Sequence, residues 1–352
     1  MKHKSKRYHS GALLGTGMFL VTAFLLFSAC YGIAVAGDTA PPDKAVVQEC
    51  LLKALETAPG GMTVDELRAQ CKAEQMTAAE KEEDKSIVAG RLYTDEENVM
   101  RPFTLMSHKP NYILLANYNS SPNNDPWREA SGDPTLELDN VEAQFQVSIK
   151  VPLAVDLFKN KMDIYGAYTV RSYWQVYNSD LSAPFRETNY SPEAWLQFRN
   201  DWSIWGFKNS VNMFGFVHQS NGRNEPISRS WNRIFANFVF EKGNLVFGIK
   251  PWYRISEDEA DDNNPDITDY LGHGELLAAY KWRGHVFSIL SRNNLESGFS
   301  RGAVEGTWSF PLGSYKYLKG YVQGFTGYGQ SLIDYNSYES TVGFGFAVTD
   351  WL

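Results

Sequence analysis

The 352-residue sequence is short of positive charge, of cysteine and, beyond residue 36, of long apolar runs. Thirty-three Lys and Arg stand against 41 Asp and Glu, a formal charge of −8. Four of those basic residues and none of the acids lie within residues 1–36, so the remainder carries about −12. A chain this acidic has no electrostatic reason to hold nucleic acid. After residue 36 there is no apolar run of about 18 residues, so no helix would cross a bilayer by the length rule. Strands are untouched by that exclusion, because a barrel wall hides its lipid-facing residues in alternation with polar ones. Of the three cysteines, Cys30, Cys50 and Cys71, the last two share one short segment and are expected to pair in an oxidising compartment.

The N-terminus indicates that compartment. Met1-Lys2-His3-Lys4-Ser5-Lys6-Arg7 is basic, Ala12 to about Phe27 is apolar, and Ala34-Val35-Ala36 is small-x-small before Gly37. These are the three parts of a secretory signal peptide over residues 1–36. Phe27-Ser28-Ala29-Cys30 loosely resembles a lipoprotein processing box, which would instead retain a lipidated Cys30. Residues 37–100 form an expected helical periplasmic extension. There Ala45 to Leu55 is helix-prone, Gly60-Gly61 interrupts, Thr63-Val64-Asp65-Glu66 has the form of a capping box, and Thr77 to Glu83 suggests a third helix.

From residue 101 to 352 the texture changes to short aromatic-rich strands. In Asn140 to Leu153, the apolar Val141, Ala143, Phe145, Val147, Ile149 and Val151 alternate with Glu142, Gln144, Gln146, Ser148 and Lys150, the period of a strand with two unlike faces. Similar segments near 110–119, 162–175, 188–200, 208–220, 231–241, 245–255, 269–282, 285–294, 300–310, 315–328 and 338–352 bring the expected strands to twelve. Short connections (Lys242-Gly243-Asn244, Arg283-Gly284) contrast with long ones (Ser120 to Pro134, Ser256 to Thr268), as in a transmembrane barrel. Tyr112, Tyr173, Trp174, Trp195, Trp252, Tyr253, Trp282 and Tyr328 stand near strand ends, where interfacial girdles are expected. The last segment keeps Val342, Phe344, Phe346 and Val348 on one parity up to Trp351-Leu352. The expected fold is an all-β, twelve-stranded antiparallel transmembrane β-barrel with a small helical extension.

His218 and Ser220, two residues apart, project from one face of an extended strand. Asn232 opens the next strand, with the apolar Ile234, Ala236, Phe238 and Phe240 on its own parity. A hydroxyl nucleophile needs a base in reach, and the base needs a group to hold its tautomer; Ser220, His218 and Asn232 supply these types, and the neutral amide avoids an unpaired charge at the edge of lipid. Taken alone, a His-x-Ser pair is more often merely polar residues at an interface. Ser331, in Gly327-Tyr328-Gly329-Gln330-Ser331, is a rival nucleophile without the order of a nucleophile elbow or a nearby His.

Several motifs occur together and in order: His218-Gln219-Ser220-Asn221-Gly222-Arg223, Ser228-Arg229-Ser230-Trp231-Asn232-Arg233, Lys250-Pro251-Trp252-Tyr253, Asn264-Pro265-Asp266-Ile267-Thr268, Pro184-Phe185-Arg186-Glu187-Thr188-Asn189-Tyr190, and Gly327 through Asn336. From about Pro102 onward the chain resembles the outer membrane phospholipase A family. The resemblance implies calcium-dependent hydrolysis of phospholipid acyl esters at the outer membrane by a homodimer. It implies Ser220 as nucleophile, His218 as base and Asn232 as the orienting residue. The Gly222 amide, with a water on the ion, would stabilise the oxyanion. Calcium would be held by the Ser228 hydroxyl, the Arg223 carbonyl and, across the dimer, the Ser182 carbonyl, hard oxygens that suit it better than zinc. A glutamine that helps to seal the family's dimer is replaced by Val170, and Gln219 also departs from the family pattern. Other readings stay open. Ser228 would serve equally as a turn cap and Arg223 as a phosphate ligand. Glu257-Asp258-Glu259 with Asp261-Asp262 reads as a solvated loop, with a second calcium site as its rival. A non-enzymatic porin would line its path with Glu142, Lys150, Arg171 and Arg233, and a secreted soluble esterase is a third option.

Overall fold

The strand Val141–Asp156 shows how the wall is built, because its polar side chains are the buried ones. Glu142, Gln144, Gln146, Ser148 and Lys150 are all buried, whereas Val147 and Val151 are exposed. The same inversion leaves Tyr168, Leu196, Phe214, Phe216, Ile234, Ile249, Leu276, Ile289, Val304, Val342 and Phe344 on the outside. Such a surface is stable against hydrocarbon and not against water.

The computed structural model describes residues 50, 52–53, 63–67, 70–71, 86–99 and 104–352. The expected signal peptide, Cys30 and the third helix at Thr77 to Glu83 lie outside these residues. Twelve long strands run in order: β1 Asn111–Asn119, β2 Val141–Asp156, β3 Met162–Trp174, β4 Phe185–Arg199, β5 Phe207–Ser220, β6 Ser230–Lys242, β7 Leu245–Ile255, β8 Gly274–Trp282, β9 His285–Arg292, β10 Ala303–Leu312, β11 Tyr315–Tyr328 and β12 Tyr338–Thr349. Each pairs antiparallel with the next, and β12 returns to β1, from Thr341 opposite Asn119 to Thr349 opposite Asn111. The sheet is closed and has no free edge. Gly345 sits at this seam, where a Cβ would overlap the Ile113 carbonyl, so the two strands meet there only because the side chain is missing. The strand expected from 269 begins at Gly274, because Ile267–Leu271 forms one short helical turn ended at Gly272.

Paired polar side chains bridge the lumen. Arg186 donates from Nε and Nη2 to the two oxygens of Glu142 at 3.0 and 2.9 Å and from Nη1 to Asp334 at 2.6 Å. Lys150 pairs with Asp95 at 2.5 Å, Arg171 with Glu305 at 3.3 Å, and Arg233 donates to Gln219 while lying over Trp231. The four residues named for a porin path are thus all hydrogen-bonded inside the barrel. Of the eight aromatics expected in girdles, Tyr112, Tyr173, Trp195 and Trp252 are buried in this lumen instead, while Tyr253 and Trp282 are exposed; parity, not nearness to a strand end, decides which way each ring points. Arg186→Met would leave two buried carboxylates without their cation and should lower stability by about 3–5 kcal/mol. The urea midpoint of the barrel in detergent reads this directly, and an unshifted midpoint would contradict the pairing.

Two compact units divide the chain, 1–82 and 83–352. In the first, Cys50 and Cys71 are disulfide-bonded with Cα atoms 5.9 Å apart, as expected. Thr63 and Glu66 form the reciprocal capping box: the Thr63 amide donates to the Glu66 carboxylate at 2.7 Å and the Glu66 amide to the Thr63 hydroxyl at 3.3 Å. The Thr63 amide, and then the Thr63 hydroxyl donating to the same carboxylate at 2.9 Å, hold the Glu66 carboxyl below its usual pKa. In the second unit, helix α1 (Ile87–Val99) closes the short-turn end of the barrel. Ser86 and the Val88 amide bond Glu241, Arg91 donates to the carbonyls of Trp351 and His108, and Asp95 meets Lys150. This helix, expected within the extension ending at residue 100, goes with the barrel because its polar side chains complete the lumen's hydrogen bonds.

Candidate active site

β5 and β6 lie side by side with His218 opposite Asn232 and Ser220 opposite Ser230. On β5 the even-numbered Phe214 and Phe216 face outward and Val217 is buried; on β6 Trp231 is buried and Ile234 is exposed. His218, Ser220 and Asn232 therefore all lie on the lipid-facing surface. They stand where β5 ends and β6 begins, at the long-loop end of the barrel, where polar side chains can meet head groups and water. His218 Nδ1 and Asn232 Oδ1 are 2.9 Å apart. An amide oxygen only accepts, so Nδ1 carries the proton and Nε2 is left with its lone pair. Ser220 lies two residues farther along the same face, and no hydrogen bond joins its hydroxyl to the ring in this structure. Catalytic hydrogen bonds often tighten only once substrate is bound.

The loop between the two strands is organised by one buried side chain. Asn221 donates from Nδ2 to the Ile227 carbonyl at 2.8 Å, and its Oδ1 accepts from the amides of Arg223 and Arg229 at 3.3 and 3.0 Å. Gly222 follows at φ 63° and is exposed. A side chain there would be strained by that backbone angle and would come within 3.2 Å of the Tyr190 ring. The Arg223 guanidinium donates from Nη2 to the carbonyls of Phe185 and Arg186 and lies over Trp127, which ties the loop to β4.

Among the described residues no three His, Cys, Asp or Glu side chains group so as to hold an ion. A cation here would take hydroxyl and carbonyl oxygens, and the loop supplies both, in the Ser228 hydroxyl and the Arg223 carbonyl; neutral hard donors of this kind fit calcium and leave places for water. Ser182, at φ 59°, is exposed on the separate loop between β3 and β4, where a second copy of the chain can meet it.

The other sequence candidates lie apart. The Ser331 hydroxyl is buried and donates to Asp334 at 2.5 Å, and Gln219 points inward to Trp231 and Arg233. In the acidic run after β7, Asp258, Glu259 and Asp261 are exposed, as a solvated loop would be. Asp262 is gripped by Arg254 at 2.7 and 2.8 Å, and Glu257 Oε1 accepts from Asn232 Nδ2 at 2.9 Å. Glu257 is the contact that sequence reasoning missed. Its one signal was parity, since it continues the outward side of β7 two residues beyond Ile255, which pairs with Asn232.

Comparison with known proteins agrees with this geometry. The profile of the phospholipase A1 family matches residues 88–348. A relative from Neisseria meningitidis serogroup B is 40% identical over 270 residues, 74% of this chain and 69% of its own. The solved outer membrane phospholipase A from Escherichia coli is 34% identical with a TM-score of 0.66, the match covering 71% of this chain and 100% of that one. An outer membrane phospholipase from Salmonella typhi, solved as a dimer with bound calcium, is likewise 34% identical with a TM-score of 0.66, covering 72% of this chain and 96% of its own. The family match extends over most of the length and includes every strand of the closed wall but the last residue of β12, so the chain belongs to the phospholipase A1 family.

Proposed function

We propose that this chain is a calcium-dependent phospholipase of the bacterial outer membrane that hydrolyses phospholipid acyl esters and acts as a homodimer. The observation that carries the reading is the His218–Asn232 hydrogen bond beside Ser220 on the lipid-facing surface. Ser220 Oγ attacks the ester carbonyl carbon as His218 Nε2 takes the hydroxyl proton, and Asn232 keeps the ring in the tautomer that can do so. The Gly222 amide donates to the oxyanion of the tetrahedral intermediate. His218 then returns the proton to the leaving glycerol oxygen, which departs as the lysophospholipid and leaves an acyl group on Ser220. Water, deprotonated by the same nitrogen, releases the fatty acid and restores the hydroxyl. Ser228, the Arg223 carbonyl and Ser182 of a second copy are the residues to hold calcium, which would supply positive charge toward the oxyanion.

The dimer face is read from β2 and β3. Val170 pairs with Val147, and Val147 and Tyr168 are exposed beside it; an apolar residue meets a partner in lipid without leaving a polar group unpaired. Residues 1–36 are read as the export signal, and the part of residues 37–100 that precedes α1 as a periplasmic extension. Purified protein in detergent, given phospholipid micelles, should release fatty acid and lysophospholipid when calcium is present. A non-enzymatic barrel would release neither.

A further inference from the structure

We propose that Glu257 is a positioning residue of this site, acting on His218 through the Asn232 carboxamide; the inference rests on reading Ser220, His218 and Asn232 as the catalytic groups. A carboxylate in the orienting position presents an acceptor whichever way it turns. A carboxamide does not: flipped, it would present its NH2 to Nδ1, drive the ring proton to Nε2 and leave that nitrogen unable to take a proton from Ser220. Something must fix the amide, and Glu257 does so. Its carboxylate only accepts, and it lies 2.9 Å from Asn232 Nδ2 while Asn232 Oδ1 lies 2.9 Å from His218 Nδ1. The bonds run in one direction, from ring N–H to amide oxygen and from amide N–H to carboxylate, and each polarises the next.

The loop is built to hold Glu257 there. Asp262 is fixed by two bonds from Arg254, Asn264 is fully buried, and its Oδ1 accepts from the Ser230 amide, so the segment after β7 is tied to the start of β6. No cation pairs with Glu257 among the described ion pairs, so its charge is aimed at the amide. This arrangement keeps the negative charge one group away from the lipid edge, where an unpaired carboxylate is costly, and still brings it to the imidazolium that forms in the reaction. Glu257 does not touch the reacting atoms; its effect is on orientation and on the stability of charged His218.

The test is steady-state hydrolysis at saturating calcium by E257A, E257Q, N232D and the double variant N232D/E257Q, with S220A in parallel and heat-modifiability as the check on folding. E257A and E257Q should lower kcat by about 10- to 100-fold, part of the 10²–10⁴ that a positioned base contributes, while KM and the calcium concentration for half-activity stay within about twofold. N232D sets two carboxylates face to face, and E257Q restores a donor opposite the new carboxylate, so N232D/E257Q should be more active than N232D. A residue that only braced the loop would make the double variant the worse of the two. With S220A inactive, wild-type kcat in both E257A and E257Q, or a loss that lies in calcium half-saturation, or a double variant no better than N232D, overturns this inference alone. An active S220A overturns the triad beneath it.

Discussion

Ser220→Ala is expected to reduce phospholipid hydrolysis by at least about 10⁴-fold and to leave a folded, heat-modifiable barrel. The size follows from what is removed. Without Oγ there is no acyl-enzyme, and His218 can act only on water that the site does not position. What survives is the weak catalysis of an oxyanion donor and a bound substrate. The barrel is indifferent because Ser220 ends β5, keeps its backbone pairing with Ser230, and makes no side-chain hydrogen bond across the wall. Fatty-acid release is the direct measurement, and labelling by a serine-reactive phosphonate gives a second readout, which should vanish in S220A. If S220A keeps more than about 1% of the activity, the nucleophile lies elsewhere.

Withdrawal of calcium should have the next largest effect, a loss of about 10²–10³-fold, the scale on which an oxyanion contact matters. Among the described residues no group of His, Cys, Asp and Glu offers the ion another seat, and one copy of the chain offers only two of the three expected protein oxygens. Calcium should therefore also raise the dimer fraction, because Ser182 of the second copy completes the shell. Cross-linking in detergent checks this without reference to activity. Ser228→Ala should shift both titrations to higher calcium by about tenfold, the loss of one charge-assisted contact. Full activity in excess chelator, or a dimer fraction blind to calcium, would remove the ion from the mechanism.

The pieces of the site that were legible beforehand are those whose geometry is local. His218 and Ser220 share a face because strand side chains alternate, and Asn232 stands opposite His218 because consecutive strands of the wall pair antiparallel. Glu257 was out of reach: it is 25 residues from Asn232 in a loop whose path depends on Arg254, Asp262 and Asn264, and acidity alone made it look solvated. The same limit explains Asp269–Leu271, read as strand but lying in the helical turn Ile267–Leu271. Its alternation continues into Gly274–Trp282, and only the Gly272 turn separates them.

Period two in Val141–Asp156, the twelve repeats of that pattern and the contrast of short and long connections were properties of the sequence by itself, because they depend on neighbours a few residues apart. Which face is inside was decided by closure. Once β12 pairs with β1, Glu142, Lys150 and Arg171 share a small interior with Arg186, Asp95 and Glu305 and neutralise one another there, while Val147 and Phe216 are turned to lipid. Partners such as these are separated by up to about 150 residues, and only the folded chain brings their charges within hydrogen-bond range.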